Sequence, residues 1–242
     1  MKTVLLSDVH GNALALQRVL STLETEVVDQ YVFLGDAILF GPQPHETVAI
    51  LQALPNLTCI LGNTDVWFYD PPPENEIKTA EDRRRLGLIE WGTAQLTPQQ
   101  VAFVKSFQPW AKIDLGSGLT LLAYHGTPAS ASERLVATTP DEAVEQFLAG
   151  WKAEVYAGGH THFAMLRRWN DRWLVNPGSL GLSWKQTSNG LRPRRAEFMV
   201  ITVENGILEI SMRAVPIDRQ ALESAARESN LPGRESYLSE WE

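Results

Sequence analysis

The sequence predicts an α/β fold that becomes richer in β-strands towards its C-terminal end. Short apolar runs typical of buried strands alternate with helical patterns in the first part, and an Asn-Gly hairpin signal joins two strand patterns near the end. The 242 residues, with 44% hydrophobic and 21% charged side chains, suit one domain with a substantial core. Because no repeat, low-complexity tract or linker divides the chain, we expect residues 1–242 to form a single domain.

The first elements follow from composition and spacing. Lys2–Leu6 is rich in leucine and β-branched residues and predicts a buried strand. Apolar residues at helical spacing predict a helix at Ala13–Leu23, with Asn12 as its N-cap. The alternation continues with predicted strands at Tyr31–Leu34 and Leu57–Leu61 and a predicted helix at Thr47–Leu54.

The alternation stops over residues 66–110. Val66–Asp82 contains adjacent aromatic residues and three consecutive prolines, which predict an irregular excursion over the surface. Short helices are predicted at Arg83–Gly92 and Pro98–Phe107, the second with Thr97 as N-cap and proline at its first position. The excursion follows Asn63 closely, so we expect it near the mouth of any site that uses this residue.

The rest of the chain is dominated by strand patterns. The predicted strands are Leu119–Ala123, Val155–Ala157, Arg172–Val175, Glu197–Val203 and Ile207–Ala214, with helices at Asp141–Leu148 and Ala221–Arg227. Asn205-Gly206 predicts a hairpin between the last two strands. Residues 219–242 are expected to be a partly ordered tail that frays after its helix.

Composition excludes several classes of function. The net charge of −8 argues against general nucleic-acid binding, which requires a basic face. No apolar run reaches the ~18 residues of a membrane span, so no membrane partner is expected. The single cysteine, Cys59, cannot form an intramolecular disulfide and is predicted to be a buried thiol. We therefore expect a cytoplasmic protein, and a homo-oligomer remains open.

Polar, glycine-containing clusters follow the apolar runs. In open α/β sheets, functional groups gather beyond the carboxyl ends of strands, which is where these clusters are predicted. Four of the five histidines lie in them, and the fifth, His45, is predicted to be on the surface. The clusters are SDVHGN at Ser7–Asn12, LGDA at Leu34–Ala37, LGNTD at Leu61–Asp65, YHGTP at Tyr124–Pro128 and AGGHTH at Ala157–His162.

The side chains in these clusters favour a divalent metal. They offer carboxylate, imidazole and amide oxygen without a thiolate, which suits hard to borderline cations. Asp8 and His10 are two residues apart at a strand end, and His160 and His162 have the same spacing. Strand alternation would send such a pair to a common face only while the backbone stays extended.

The ordered pattern DVH, GD, GNTD, HG and GHTH resembles that of the calcineurin-like metallophosphoesterases. With NPGSLG at Asn176–Gly181 and the short chain, it is similar to their small, stand-alone prokaryotic phosphodiesterase branch. The resemblance implies a four-layer α/β/β/α sandwich, with two mixed β-sheets flanked by helices, and a site for two metal ions. Manganese is the first expectation, and iron, zinc, cobalt and nickel are alternatives.

The resemblance also implies roles for individual residues. Asp36 would bridge the two ions, one held by Asp8, His10 and His162 and the other by Asn63, His125 and His160. Asp36, Asn63 and His125 would be the catalytic set. A bridging hydroxide would attack phosphorus in line, so the partner would be a small phosphoester.

Thr64 departs from the family pattern, because many relatives have a histidine directly after the asparagine. A threonine hydroxyl is a poor general acid, so we expect substrates with acidic leaving groups and favour a phosphodiesterase. The alternatives are a phosphomonoesterase acting on nucleotides or phosphoproteins and, from another class, a non-catalytic metal-binding scaffold. Asp65 would either orient a neighbouring cluster residue or cap a helix.

Two side chains are candidates for substrate contact. Trp67 could stack on a planar group or pack the excursion onto the domain, and packing is the preferred interpretation. Arg194, in the basic run Arg192–Arg195, could bind a phosphate or simply face solvent. Gly178 and Ser179 are expected to form a tight turn that braces the metal-binding loops.

Overall fold

A computed structural model describes residues 1–182 and 195–239 of the chain. The described strands are β1 (Lys2–Leu6), β2 (Gln30–Phe33), β3 (Leu57–Cys59), β4 (Trp110–Gly116), β5 (Leu119–Tyr124), β6 (Val155–Ala157), β7 (Met165–Trp169), β8 (Arg172–Asn176), β9 (Arg195–Glu204) and β10 (Ile207–Pro216). The described helices are α1 (Ala13–Leu23), α2 (Pro44–Ala53), α3 (Ala80–Ala94), α4 (Pro98–Lys105), α5 (Asp141–Phe147), α6 (Arg219–Glu228) and α7 (Arg234–Ser239).

The strands form two mixed sheets of five. The first has the order β10-β9-β1-β2-β3, in which β1, β2 and β3 are parallel and β9 is antiparallel to both β1 and β10. The second has the order β4-β5-β6-β8-β7, with β5, β6 and β8 parallel and an antiparallel strand at each edge. The parallel strands of each sheet therefore end together, as the loops of a shared site require.

Three apolar clusters connect the layers. One, the helix-side core, lies between the first sheet and the helices that cover it and includes Leu6, Leu16 and Phe33. A second lies between the sheets and includes Leu5 and Leu121. The third covers the outer face of the second sheet, where α5 packs. This arrangement confirms the predicted four-layer sandwich.

The excursion is more regular than its sequence predicts. Val66–Phe68 and Glu74–Glu76 form short 3-10 turns, and α3 begins at Ala80, earlier than predicted. Thr79 explains the early start, because its hydroxyl accepts the Asp82 N–H while the Asp82 carboxylate accepts the Thr79 N–H. The prediction that irregular structure extends to Asp82 was wrong by three residues.

Sequence reasoning also missed two strands and a helix. The edge strands β4 and β7 mix charged with apolar residues, so neither has a continuous apolar run. Fraying was predicted after residue 227, but over the described part of this segment α6 extends to Glu228 and α7 follows it. Leu231 and Tyr237 anchor this segment in the helix-side core, which the polar composition conceals.

Two other sequence expectations can be compared with the structure. Among the described residues, no helix has the length and apolar character needed to cross a membrane. Cys59 is half-buried rather than fully buried, and burial together with the charge of Asp65 raises the pKa of its thiol.

Candidate metal centre

The polar clusters of both sheets meet at one place. The loops after β1 and β2 run side by side, with the Asp8 N–H donating to the Gly35 carbonyl at 2.9 Å and the His10 N–H donating to the Asp36 carbonyl at 2.9 Å. In the second sheet, the Gly159 N–H donates to the carbonyl of His125 at 2.8 Å. These backbone bonds bring distant parts of the sequence into one cluster.

The glycines of these loops permit the close approach. A Cβ on Gly159 would lie 2.2 Å from the Ser7 hydroxyl oxygen and 3.0 Å from a carboxylate oxygen of Asp8. A Cβ on Gly62 would lie 2.1 Å from Oδ1 of Asp36. The shortest separation at each position, 2.2 Å for Gly159 and 2.1 Å for Gly62, is well below van der Waals contact, so only glycine lets the loops pack there.

The side chains form two groups, each with ligand atoms within 4.8 Å of one another. The first group is Asp8, His10 and His162, and the second is Asp36, His125 and His160. Asn63 joins the second group, since its Oδ1 lies 3.1 Å from Nε2 of His125. All seven side chains named from the sequence are thus brought together, in the grouping that the family resemblance implies.

Asp36 lies between the two groups. Its Oδ2 is 3.4 Å from Nε2 of His125 and 3.7 Å from Nε2 of His10. Its Oδ1 accepts the N–H of Thr64 at 2.9 Å, which fixes the orientation of the carboxylate. One carboxylate is therefore in reach of an ion in either group.

Five of these seven residues have left-handed backbone conformations. Their φ angles are 53° for Asp8, 49° for His10, 60° for Asp36, 65° for His160 and 60° for His162. This conformation is uncommon for residues other than glycine and often occurs at functional sites. It also explains how His160 and His162, two residues apart, reach different groups, because the backbone between them is not extended.

Three imidazoles are held in the same way. The Nδ1 atoms of His10, His125 and His162 lie 3.0, 2.6 and 2.7 Å from the backbone carbonyl oxygens of Leu39, Leu34 and Leu182 respectively. A carbonyl can only accept, so each Nδ1 carries the proton and each Nε2 presents a lone pair to the centre in the neutral ring. This is the tautomer of a metal-ligating histidine whose other nitrogen is anchored.

The resulting geometry fits a cation in each group. In the first group the Nε2 atoms of His10 and His162 face each other at 3.1 Å, and Oδ1 of the buried Asp8 lies 3.2 Å from Nε2 of His162. In the second group Nε2 of His125 faces Oδ1 of Asn63. Lone pairs that face each other at such distances are stabilised by a positive charge between them, and nitrogen and oxygen donors of this kind suit divalent ions.

The buried carboxylates of Asp8 and Asp36 also favour a cation in the site. Burial raises the pKa of Asp8 and of Asp36, yet the neighbouring histidines, His162 foremost for Asp8 and His125 for Asp36, bring both below their ordinary value. Burial lowers the pKa of His10 to about 4. Burial also opposes protonation of His125, but the carboxylate of Asp36 raises its pKa to about 9. Across the described residues, histidines are the only basic side chains within ion-pair distance of these two carboxylates.

Residues outside the ligand groups hold the loops. The Ser7 hydroxyl donates to Oδ2 of Asp8, and the Ser179 hydroxyl donates to the Asp8 carbonyl at 2.8 Å. Asn176 donates from Nδ2 to the Gly159 carbonyl at 2.7 Å. The turn containing Ser179 thus braces the loop of Asp8, as expected. Ser7 and Asn176 were not singled out from the sequence, although each begins one of its polar clusters.

Asp65 orients the loop that carries Asp36. It is fully buried and accepts the backbone N–H groups of Asp36, Ala37 and Gly62 at 2.9, 2.8 and 2.9 Å. It makes no capping hydrogen bond to the 3-10 turn that it precedes, so the helix-capping alternative was wrong. Burial and the charge of Asp36 raise the pKa of Asp65 to about 7.

The two candidate substrate contacts have different outcomes. Trp67 is half-buried, packs against the helix-side core and lies 5.4 Å from the Arg85 guanidinium, as the packing interpretation predicts. Arg194 lies outside the described residues. His45 is exposed at the start of α2, as expected.

Comparisons with known proteins agree with this architecture. A metallophosphoesterase from Sphaerobacter thermophilus is 22% identical, with a TM-score of 0.77 over 100% of this chain and 98% of that chain. A hypothetical protein from Pyrococcus horikoshii OT3 is 17% identical, with a TM-score of 0.80 over 99% of this chain and 97% of that chain. Vps29 from Chaetomium thermophilum is 15% identical, with a TM-score of 0.54 over 88% of this chain and 95% of that chain.

No curated protein matches the chain. The model of the calcineurin-like phosphoesterase superfamily domain, however, matches residues 1–206, which is most of the sequence and includes every residue of both ligand groups. The chain therefore belongs to the calcineurin-like phosphoesterase superfamily.

Proposed function

We propose that this protein is a phosphodiesterase that depends on two divalent metal ions. The observation that carries the proposal is the position of Asp36, whose Oδ2 lies 3.4 Å from Nε2 of His125 and 3.7 Å from Nε2 of His10. A shared carboxylate between two ligand groups suits a pair of neighbouring ions. Membership of the phosphoesterase superfamily supports the reaction class.

Each ligand residue has a proposed role. Asp8, His10 and His162 would hold one ion, Asn63, His125 and His160 would hold the other, and Asp36 would contribute to both. Manganese is the first candidate, and iron, zinc, cobalt or nickel would suit the same donors. When bound, the ions neutralise charge on the phosphoryl oxygens and acidify a water that attacks phosphorus in line.

The chain's own residues keep this site organised. The carbonyl partners of His10, His125 and His162 fix the ring orientations, so the lone pairs stay directed at the ions. The Thr64 N–H and the Asp65 carboxylate hold the side chain and the backbone of Asp36. Because these partners are in place before binding, little reorganisation is needed when the substrate arrives.

Thr64 supports the preference for acidic leaving groups. A threonine hydroxyl is a poor general acid, and its Oγ1 is buried without a hydrogen-bond partner that could relay a proton. Thr64 is therefore a weak candidate for protonating a leaving oxygen. Activated diesters, whose leaving alcohols need no proton, therefore suit this site better than alkyl esters. The proposed partner is a small phosphoester, and the proposed compartment is the cytoplasm.

The test uses chelator-treated protein reloaded with manganese. We expect it to cleave bis(nitrophenyl) phosphate faster than nitrophenyl phosphate, with rates falling steeply as the leaving alcohol becomes less acidic. Near-equal rates for alkyl and nitrophenyl esters would contradict the leaving-group proposal. A faster monoester reaction would favour a phosphomonoesterase for nucleotides or phosphoproteins, and no cleavage of any activated ester would favour a non-catalytic scaffold.

A further inference from the structure

The outer edge of the first sheet is a long strand with one side unpaired among the described residues. All ten residues of β10, Ile207–Pro216, pair with β9, and β10 ends the sheet. Ile207 is 71% exposed and Met212 is 47% exposed, which is high for apolar side chains. Exposed edges of this length tend to pair with another strand unless something protects them.

Charged side chains on an edge strand normally provide that protection. The two on β10, Glu209 and Arg213, have opposite charges and can therefore pair with those of a second copy. Glu209 and Arg213 are both on the face of the strand that carries Val215, because side chains alternate along a strand. Val215 belongs to the helix-side core, so this face is the helix side of the sheet. Leu208 and Ile210, on the opposite face, pack into the core between the sheets.

Only one symmetric register brings the opposite charges together. If a second β10 runs antiparallel and is related by a two-fold axis through Ser211, Glu209 of each copy lies opposite Arg213 of the other. The same register places Ile210 opposite the exposed Met212. With the axis at Ile210 or Met212, Glu209 would instead face Ser211 or Val215, and neither arrangement pairs the charges.

Arg213 is already positioned for this contact. It forms an ion pair with Glu26, in the loop after α1, yet its side chain remains 34% exposed. A guanidinium has five N–H donors and can bind a second carboxylate while keeping the first. Glu209 is exposed and forms no ion pair with any described residue.

We propose that β10 is the interface of a homodimer, in which two copies pair antiparallel about Ser211 and join their first sheets into one. The axis is perpendicular to the sheet, so the helices of both copies lie on the same side. Pro216 limits the pairing at one end, because it has no N–H to donate. The metal-binding loops belong to strands further inside the sheet and stay uncovered.

Disulfide trapping tests the register directly. In a Cys59→Ser background, Ser211→Cys places two thiols on the axis, where opposed Cα atoms in an antiparallel pair lie ~4.5–5.5 Å apart, within disulfide range. We expect mild oxidation to yield a covalent dimer of twice the 27.0 kDa chain mass. The matched control, Ile207→Cys, keeps the charge pair intact but puts the two thiols eight residues apart, roughly 26 Å, and should not cross-link.

Sedimentation of the otherwise native protein provides the second measurement. We expect a dimer whose dissociation constant rises at least about tenfold in Glu209→Arg, because like charges then face each other across the interface. Glu204→Arg, at the end of β9, makes the same charge change away from the register and should leave the dimer unchanged. A wild-type monomer at high micromolar concentration, or cross-linking of Ile207→Cys instead of Ser211→Cys, would overturn the proposal.

Discussion

The carboxylate of Asp65 lies behind Asp36 and accepts its backbone N–H at 2.9 Å. The next residue back, Thr64, donates its own N–H to the Asp36 side chain at 2.9 Å. Two adjacent residues of one loop therefore hold both the backbone and the side chain of the residue that lies between the two ligand groups. This makes the GNTD segment a support for Asp36 as well as the source of Asn63.

The support from Asp65 predicts a loss of metal affinity in Asp65→Asn. An amide has one oxygen acceptor and an NH₂ donor, so it cannot accept all three N–H groups that the carboxylate accepts now. We expect manganese affinity to fall ~10-fold or more, as for other residues that orient ligands. Calorimetric titration of the metal-free protein measures it. The control is Asp70→Asn, an exposed change in the same segment, and equal affinities in both variants would contradict the prediction.

The position of Asp36 between the groups predicts different metal stoichiometries for two variants. His162→Ala removes a donor from the first group alone, so one ion per chain should remain bound. Asp36→Ala removes the shared carboxylate, so binding at both positions should weaken. Elemental analysis after gel filtration gives the ratio of metal to protein. Equal losses in the two variants would mean that Asp36 is not shared.

Asn176 connects the loop of the paired histidines to the turn after β8. Its Nδ2 donates to the Gly159 carbonyl at 2.7 Å and to the Thr161 hydroxyl at 3.2 Å, and its Oδ1 accepts the Gly178 N–H at 2.9 Å. We expect Asn176→Ala to lower manganese affinity by ~10-fold or more, because His160 and His162 lose their support.

Calorimetry with a conservative variant separates this role from general destabilisation. Asn176→Asp keeps an oxygen for the Gly178 N–H but loses both donors, so its affinity should fall as far as in Asn176→Ala. Asn75→Ala, at an exposed position, is the control. If Asn176→Asp bound manganese as tightly as the wild type, the donors to the histidine loop would not matter.

Glu154 predicts a pH-dependent part of the stability away from the metal centre. Partial burial raises the pKa of its carboxyl. Hydrogen bonds from the N–H and hydroxyl of Thr120, at 2.7 and 2.8 Å, lower the pKa by more, so the net shift is downward. A depressed folded-state pKa contributes stability above the ordinary pKa and loses it as pH falls through the folded value. Glu154→Gln should therefore lower the free energy of unfolding by roughly 1 kcal/mol at pH 7, since the site is exposed.

Urea denaturation with chelator present measures this difference at each pH. The gap between Glu154→Gln and the wild type should close in acid, once the wild-type carboxyl is protonated. Glu145→Gln, on the exposed side of α5, is the control for removing a carboxylate. A gap that persisted unchanged in acid would assign the loss to packing.

The sequence predicted the fold and the cluster for different reasons. Buried strands such as β1 are continuous apolar runs, so their positions follow from composition, and the polar clusters follow because parallel strands end at one edge. The edge strands β4 and β7 were missed because many of their side chains are exposed, so charged residues interrupt the apolar ones and no continuous apolar run marks the strand. The role of Asn176 depends on a hydrogen bond to a carbonyl 17 residues away, which no local pattern indicates.

The left-handed backbone at Asp8, His10, Asp36, His160 and His162 has an evolutionary consequence. At each of these positions a residue other than glycine bears a conformational cost of ~1 kcal/mol or more, which glycine would relieve. Directed evolution of the metal-free protein for heat resistance alone would therefore not preserve the ligands as such, and we expect small residues that tolerate this conformation, asparagine or glycine, to replace some of them. Under the proposed function, selection for metal-dependent turnover would keep these side chains in place.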